Sequence, residues 1–187
     1  GSGKTTLCNY LKKRGFAVHE SDKVVSDMYM QSNNLFVVFV KENVSKEAVQ
    51  KNKINKNKIA NVIFNNQKAK TRLEKYIHKE VQASRKKFIQ NNRKIKKKIV
   101  FVDIPLLFEK KLENEFDLIV SIISSKKNRS NRVLKKKKFT KKILNKIFNS
   151  QTSDKERRKR SQIIINNNNT KKDFIFNFEK ALVRIIK

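Results

Sequence analysis

Tryptophan is absent from this 187-residue sequence, cysteine and proline occur once each, as Cys8 and Pro105, and glycine occurs only three times. A single thiol excludes an internal disulfide framework and suits a reducing compartment, so a cytoplasmic protein is expected. Long apolar runs are also missing. The best, Leu35–Val40 and the Ile99–Phe108 stretch that carries Asp103, fall short of the ~18–20 residues a membrane span requires, so no membrane association is expected. Carboxylates are scarce: 16 Asp and Glu stand against 47 Lys and Arg, a formal net charge of +31. Such a charge is the usual footprint of a nucleic-acid binder. The composition around it points elsewhere. Lys, Asn, Ile and Phe are the residues that A/T-rich codons favour, Gly, Pro and Trp those they disfavour, and lysines spread over helix faces need no phosphate partner. No specific nucleic-acid partner is therefore expected, although the Lys runs at 96–98 and 135–138 are dense.

Against that bias, the few Gly and Pro mark places where backbone geometry demands them. Lys4 to Arg14 reads as a helix, with Leu7 and Leu11 at i, i+4, Cys8 beside them, and Gly15 placed to end it in the left-handed conformation. Phe16-Ala17-Val18 reads as a short buried strand leading into His19-Glu20-Ser21-Asp22. From Lys23 to about Asn92 the chain is expected to be mostly helical, with Asn-rich breaks near Ser32, Asn52 to Asn57 and Asn65-Asn66. Its clearest helix presents Leu73, Ile77, Val81, Ser84 and Phe88 as one stripe. Ile99 to Ile104 and Phe116 to Ile123 are continuous apolar runs, of the kind buried on both faces of a parallel sheet. A basic helical stretch, about 126–160, follows them. Gln162 to Ile165 reads as another short strand, and a final helix packs through Phe174, Phe178, Ala181, Leu182 and Ile185. Strands separated by helices rather than hairpins give an α/β fold, expected here as a single domain.

Gly1-Ser2-Gly3-Lys4-Thr5-Thr6 forms the right-hand end of the phosphate-binding loop G-x-x-x-x-G-K-[ST]. Small residues let successive backbone N–H groups turn toward phosphate oxygens, and the helix that starts at Lys4 adds the positive end of its dipole. Lys4 is expected at the β- and γ-phosphates and the Thr5 hydroxyl at Mg²⁺. The motif's first glycine and the strand that feeds the loop would lie ahead of Gly1, so the first strand of the sheet is expected to be missing from this chain. The loop alone binds phosphates without saying whose.

Asp22 lies just past a strand candidate, where an α/β sheet presents its active edge, and a carboxylate there can orient or deprotonate an attacking hydroxyl. A helix cap or a solvated carboxylate is the plainer reading of the same residue. Asp103 ends an apolar strand as a second, Mg²⁺-facing carboxylate would, or caps the next turn. His19 and His78 have no ligand cluster around them and read as ordinary histidines.

Further segments resemble the dephospho-CoA kinase family. Asp103-Ile104-Pro105-Leu106-Leu107-Phe108-Glu109 resembles that family's D-I-P-L-L-F-E segment, and Phe116-Asp117-Leu118-Ile119-Val120 the strand that follows it. Gln151, Arg157 and Ile164-Ile165-Asn166-Asn167 are similar to its closing pattern. Glu20-Ser21-Asp22 falls where the family has D-A-D, and Ile77-His78 where it has L-H-P. The likeness runs from residue 1 to about residue 169. It departs at Ser26 and Lys136, where the family carries arginine, at Lys79 for the proline after the histidine, and at Ser161-Gln162 for A-D. Asn169 replaces the closing glycine, and asparagine too can adopt the left-handed conformation.

The resemblance implies ATP-dependent phosphorylation of the ribose 3′-hydroxyl of dephospho-CoA to give coenzyme A, the last step of its synthesis. It implies a P-loop kinase three-layer sandwich with a parallel sheet, a helical substrate-binding region over 28–95 and a mobile lid over 126–160. By position, Gly1, Ser2, Gly3, Lys4, Thr5 and Thr6 bind ATP, and Thr5 also binds Mg²⁺. Asp22 is the catalytic carboxylate and, with His78, contacts the substrate. Arg132 opens the lid helix as a catalytic residue beside Lys4 and Asp22, and Asn167 lies at the adenine end of ATP. A P-loop kinase of other nucleosides or nucleotides would share the loop, and a basic nucleic-acid-binding protein the charge. Neither has reason to share the Asp103–Glu109 segment and the Asn167 strand end. Oligomeric state is left open.

Overall fold

A computed structural model describes residues 1–30, 34–135 and 140–186; Lys136, noted above in place of a lid arginine, lies outside them. In chain order the elements are α1 (Lys4–Lys13), β1 (Ala17–Glu20), α2 (Ser21–Met30), α3 (Asn34–Asn43), β2 (Val49–Gln50), β3 (Lys53–Ile54), α4 (Lys56–Asn65), α5 (Gln67–Lys94), β4 (Val100–Asp103), β5 (Val120–Ile123), α6 (Lys126–Leu134), α7 (Lys141–Ser150), α8 (Asp154–Lys159), β6 (Ile163–Asn166) and α9 (Lys171–Ile186). The fold is α/β, with parallel strands. It divides into two compact units, residues 1–16 with 104–187, and residues 17–103. Among the described residues no helix is long and apolar enough to cross a membrane.

In the first unit, β5 and β6 pair in parallel, with Val120 opposite Ile163 and Ile123 opposite Asn166. The Asn167 amide extends the ladder by one bond to the Ile123 carbonyl, 2.8 Å. At the other end, Ser161 and Ser121 share a hydroxyl hydrogen bond of 2.7 Å, and the Gln162 side chain accepts from the Ile119 amide at 2.8 Å. The Ser161-Gln162 departure thus closes the open end of this strand pair. On α1, Leu7, Cys8 and Leu11 turn inward. Tyr10 meets Phe178 of α9 edge-on, at 6.3 Å between ring centres, and Arg14 pairs with Glu179 at 2.7 Å. The buried face of α9 is Phe174, Phe178 and Leu182, one apolar stripe at helical spacing.

In the second unit, β1 and β4 pair in parallel, with Ala17 opposite Val100 and Glu20 opposite Asp103. The 28-residue α5 covers them: Ser84 Oγ lies 3.2 Å from His19 Nε2, and Phe88 packs against the His19 ring. Burial and the neighbouring Arg85 cation hold the His19 pKa below its usual value, against an opposing pull from Glu20, so the ring is kept neutral. Helices α2 to α5 enclose a core of Met28, Phe36, Val40, Ala48, Ile59 and Leu73. Phe36 stacks on Tyr76 and meets Tyr29 edge-on. Two of the Asn-rich breaks turn out to be caps: Asn55 accepts from the Asn57 and Lys58 amides at the start of α4, and Asn66 from the Ala69 amide at the start of α5, while the break near Ser32 lies outside the described residues.

Some expectations need correcting. The first strand begins at Ala17 rather than Phe16, and α2 begins at once at Ser21. The run from Phe116 supplies a strand only from Val120, because a strand extends only as far as its partner, and β6 starts at Ile163. Between α3 and α4 the helical reading misses the hairpin β2–β3. Its two turn residues, Lys51 and Asn52, have φ of 48° and 57°, the conformation of a tight hairpin turn, but no glycine announces it. Asn169 is not among the described residues with positive φ, so that replacement of glycine asks nothing of the left-handed region.

Three segments end in the same Schellman geometry, but only one of them at glycine. After α1, Phe16 N–H bonds to Leu11 C=O at 3.1 Å around Gly15, φ 81°. After α5, Lys97 N–H bonds to Asn92 C=O at 3.0 Å around Lys96, φ 53°. After the turns that follow Pro105, Leu112 N–H bonds to Leu107 C=O at 3.1 Å around Lys111, φ 53°. A side chain in the left-handed region costs ~1–2 kcal/mol, part of which glycine returns through its freer unfolded chain. Lys96→Gly is therefore expected to stabilise the fold by about 0.5–1 kcal/mol, read as a melting temperature a few degrees higher. A lower melting temperature would contradict the strain.

Candidate functional site

The first unit brings the loop residues together with the ends of β5 and β6. Gly3 is the N-cap of α1, with φ 118° and ψ 7°. A Cβ there would stand 2.4 Å from Asn167 Nδ2 and 3.4 Å from the Phe174 ring, so both the dihedral and the space require glycine. Asn167, buried just past β6, donates through Nδ2 to the Ser2 carbonyl at 2.6 Å. Arg132, which lies on the last turn of α6 and does not open that helix as expected, donates to the Asn167 carbonyl at 3.0 Å, to Asn167 Oδ1 at 3.3 Å, to Ser124 Oγ at 3.2 Å and to the Gly1 carbonyl at 3.4 Å. Lys4 is half-buried and Thr5 exposed in the first turn of α1, whose opening N–H groups have no intrahelical acceptor. Lys4, Thr5, Thr6, Arg132 and Asn167 thus belong to one constellation around Gly1–Gly3.

Sequence reasoning missed the supports of that constellation. Ser125 caps α6, its own amide donates to Asn168 Oδ1 at 2.7 Å, and Asn128 Nδ2 donates to the Asn168 carbonyl at 3.0 Å. Asn168 is one more asparagine in a run of four, in a chain rich in asparagine, so nothing in the pattern singles it out. Arg129 makes a two-pronged pair with Asp154 at 2.9 and 3.2 Å and lies over the Phe148 ring. The Phe108-Glu109 end of the proline-bearing segment anchors α8. Glu109 accepts from the Thr152 amide at 2.7 Å and faces Arg157 at 3.7 Å, while Arg160 pairs with Glu113 and covers the Phe108 ring. Burial pushes the Glu109 pKa upward, but the Thr152 bonds and the Arg157 charge outweigh it, and the net shift is down. Glu109 therefore stays ionised to hold these partners.

Asp22 and His78 belong to the second unit. Asp22 is exposed in the first turn of α2, directly after the C-terminal end of β1, and Asp103 closes β4 opposite Glu20. This is the carboxyl edge of a parallel strand pair, the edge at which α/β proteins bind ligands. Asp22 also sits where a carboxylate favours a helix dipole, so its position serves both readings. His78 is exposed on α5, while His19 is buried beneath that helix.

Comparison with known proteins gives a consistent result. The family model described as Dephospho-CoA kinase (CoaE) matches residues 1–173. A dephospho-CoA kinase from Rickettsia prowazekii is 28% identical over 193 residues, covering 100% of this chain and 91% of that protein. One from Bartonella quintana is 32% identical over 180 residues, covering 96% and 85%. Among solved structures, dephospho-CoA kinase from Campylobacter jejuni aligns with a TM-score of 0.71 at 26% identity, covering 98% of this chain and 91% of that one. The structure of TT1252 from Thermus thermophilus aligns with a TM-score of 0.78 at 22% identity, covering 100% and 93%, a likeness of fold.

Proposed function

The chain belongs to the dephospho-CoA kinase family, whose reaction is the ATP-dependent phosphorylation of dephospho-CoA in coenzyme A biosynthesis, and on that premise we propose that it transfers the γ-phosphoryl group of ATP to the ribose 3′-hydroxyl. The observation that carries this reading is the left-handed Gly3 at the head of α1, ending a loop held by Arg132 and Asn167, with Lys4 in the first turn of the helix. Phosphoryl transfer spreads charge over the phosphoryl oxygens, and fixed donors stabilise it without reorganising during the reaction. The loop amides and the first turn of α1 are such donors, and Lys4 adds a full charge at the β- and γ-phosphates. Arg132 adds a second cation beside the loop.

Mg²⁺ fits the donor set. It keeps most of its waters and takes substrate phosphates rather than an all-protein cage. Among the described residues no group of three or more His, Cys, Asp or Glu could hold a metal ion, and the exposed Thr5 hydroxyl is the residue that would hold this one. When bound, it neutralises charge on the phosphates. Asp22 orients the 3′-hydroxyl and accepts its proton, and His78 contacts dephospho-CoA from the helical region 28–95. Residues 126–160 act as the lid of a single kinase domain, and the lone cysteine suits a cytoplasmic enzyme.

The test is ADP release measured with dephospho-CoA, adenosine, AMP and pantetheine 4′-phosphate as acceptors. Turnover is expected with dephospho-CoA alone. Comparable rates with AMP would mark a kinase of other nucleotides instead.

A further inference from the structure

We propose that Asn167 is a positioning residue for the phosphate loop, acting through the Ser2 carbonyl, and that it does not read the adenine base. The proposal rests on the kinase reading above. Asn167 is only 7% exposed, and its polar groups are engaged within the first unit. Its amide donates to Ile123, its carbonyl and Oδ1 accept from Arg132, and its Nδ2 donates to Ser2. The one N–H and one lone pair that these bonds leave on the side-chain amide are buried with the rest of the residue, in an orientation set by Ser2 and Arg132.

The consequence for the loop follows from peptide geometry. In a trans peptide the N–H points opposite to the C=O. Holding the Ser2 carbonyl against Asn167 turns the Gly3 N–H the other way, onto the face that phosphate oxygens approach. The longer Arg132 contact to the Gly1 carbonyl does the same for the Ser2 N–H. Successive amides facing one side are what an anion-binding loop consists of. Asn167 is itself fixed by the β5–β6 ladder and by Arg132, which is anchored on the fully buried Ser124. The rigid end of a sheet therefore sets the orientation of a glycine loop that cannot set its own. The missing Cβ of Gly3, which would stand 2.4 Å from Nδ2, is what permits the approach.

Asn167→Ala removes the donor without adding charge, and Asn167→Asp removes it while keeping the shape. Both are compared with the unaltered protein by calorimetric titration with inorganic tripolyphosphate, by the ratio of ATP to GTP use, and by thermal melts. Tripolyphosphate and ATP affinity are expected to fall together by about 10–100-fold in both variants, with the ATP-to-GTP preference unchanged. Should Asn167→Ala fail to melt cooperatively, the isosteric Asn167→Asp carries the comparison. Unchanged tripolyphosphate affinity with a lost preference for ATP would overturn the proposal and return Asn167 to the base. Unaltered protein that binds neither ATP nor tripolyphosphate would overturn the kinase reading itself.

Discussion

Asp22→Asn is expected to lower kcat by about 10²–10⁴ while leaving ATP affinity nearly intact, the span over which a positioned general base acts. The substitution keeps the size of the side chain and its ability to hydrogen-bond, and removes only the capacity to take a proton. Asp22 is exposed at the head of α2, so neither folding nor packing depends on its charge beyond a modest dipole contribution. Steady-state kinetics with both substrates, beside a thermal melt, separate the two effects. A variant with near-normal kcat would make Asp22 a first-turn helix carboxylate and nothing more.

Lys4→Ala is expected to act differently, weakening ATP binding and chemistry together. Removing one preorganised donor to a developing charge costs about 10²–10³ in kcat, and kcat/KM for ATP should fall further because the ground-state phosphates also lose a cation. Stability should hold or rise slightly, since a lysine in the first turn of α1 opposes the helix dipole and alanine does not. Unchanged kcat with a raised KM would confine Lys4 to uniform binding. An unchanged KM as well would remove it from the site.

Lys4, Arg132 and Asn167 belong to the unit formed by residues 1–16 and 104–187, and Asp22 and His78 to the unit formed by residues 17–103. Lys4 and Asp22 are 18 residues apart in the chain, with only α1 and β1 between them, so the sequence motif at Gly1–Thr6 and the strand-end carboxylate could be read as one site from their order alone.

What could be read depended on whether a local signal survived the composition. Gly15 announced the end of α1 because glycine is rare here, and the left-handed residue is where the pattern put it. Lys96, Lys111 and the Lys51-Asn52 turn adopt the same handedness with no signal at all, since in this chain lysine and asparagine are common everywhere. The apolar runs at 99–104 and 116–123 marked strands, but their limits are set by cross-strand partners, which periodicity cannot locate. The loop motif was legible because its chemistry needs fixed residue types at fixed spacing. Its supports were not, because the bonds from Asn167 to Ser2 and from Arg132 to Ser124 join residues distant in sequence or unremarkable in type. Glu109 lies between these cases: the segment that contains it was recognisable, while its partners Thr152 and Arg157 emerge only in three dimensions.

Phosphoryl transfer from γ-labelled ATP to dephospho-CoA, followed through a single turnover, tests the central claim most directly. The account predicts that label leaves ATP for coenzyme A, in proportion to enzyme, and that a 3′-nucleotidase releases it from the product. Label that remains in ATP, or passes only to inorganic phosphate while dephospho-CoA is unchanged, would contradict it.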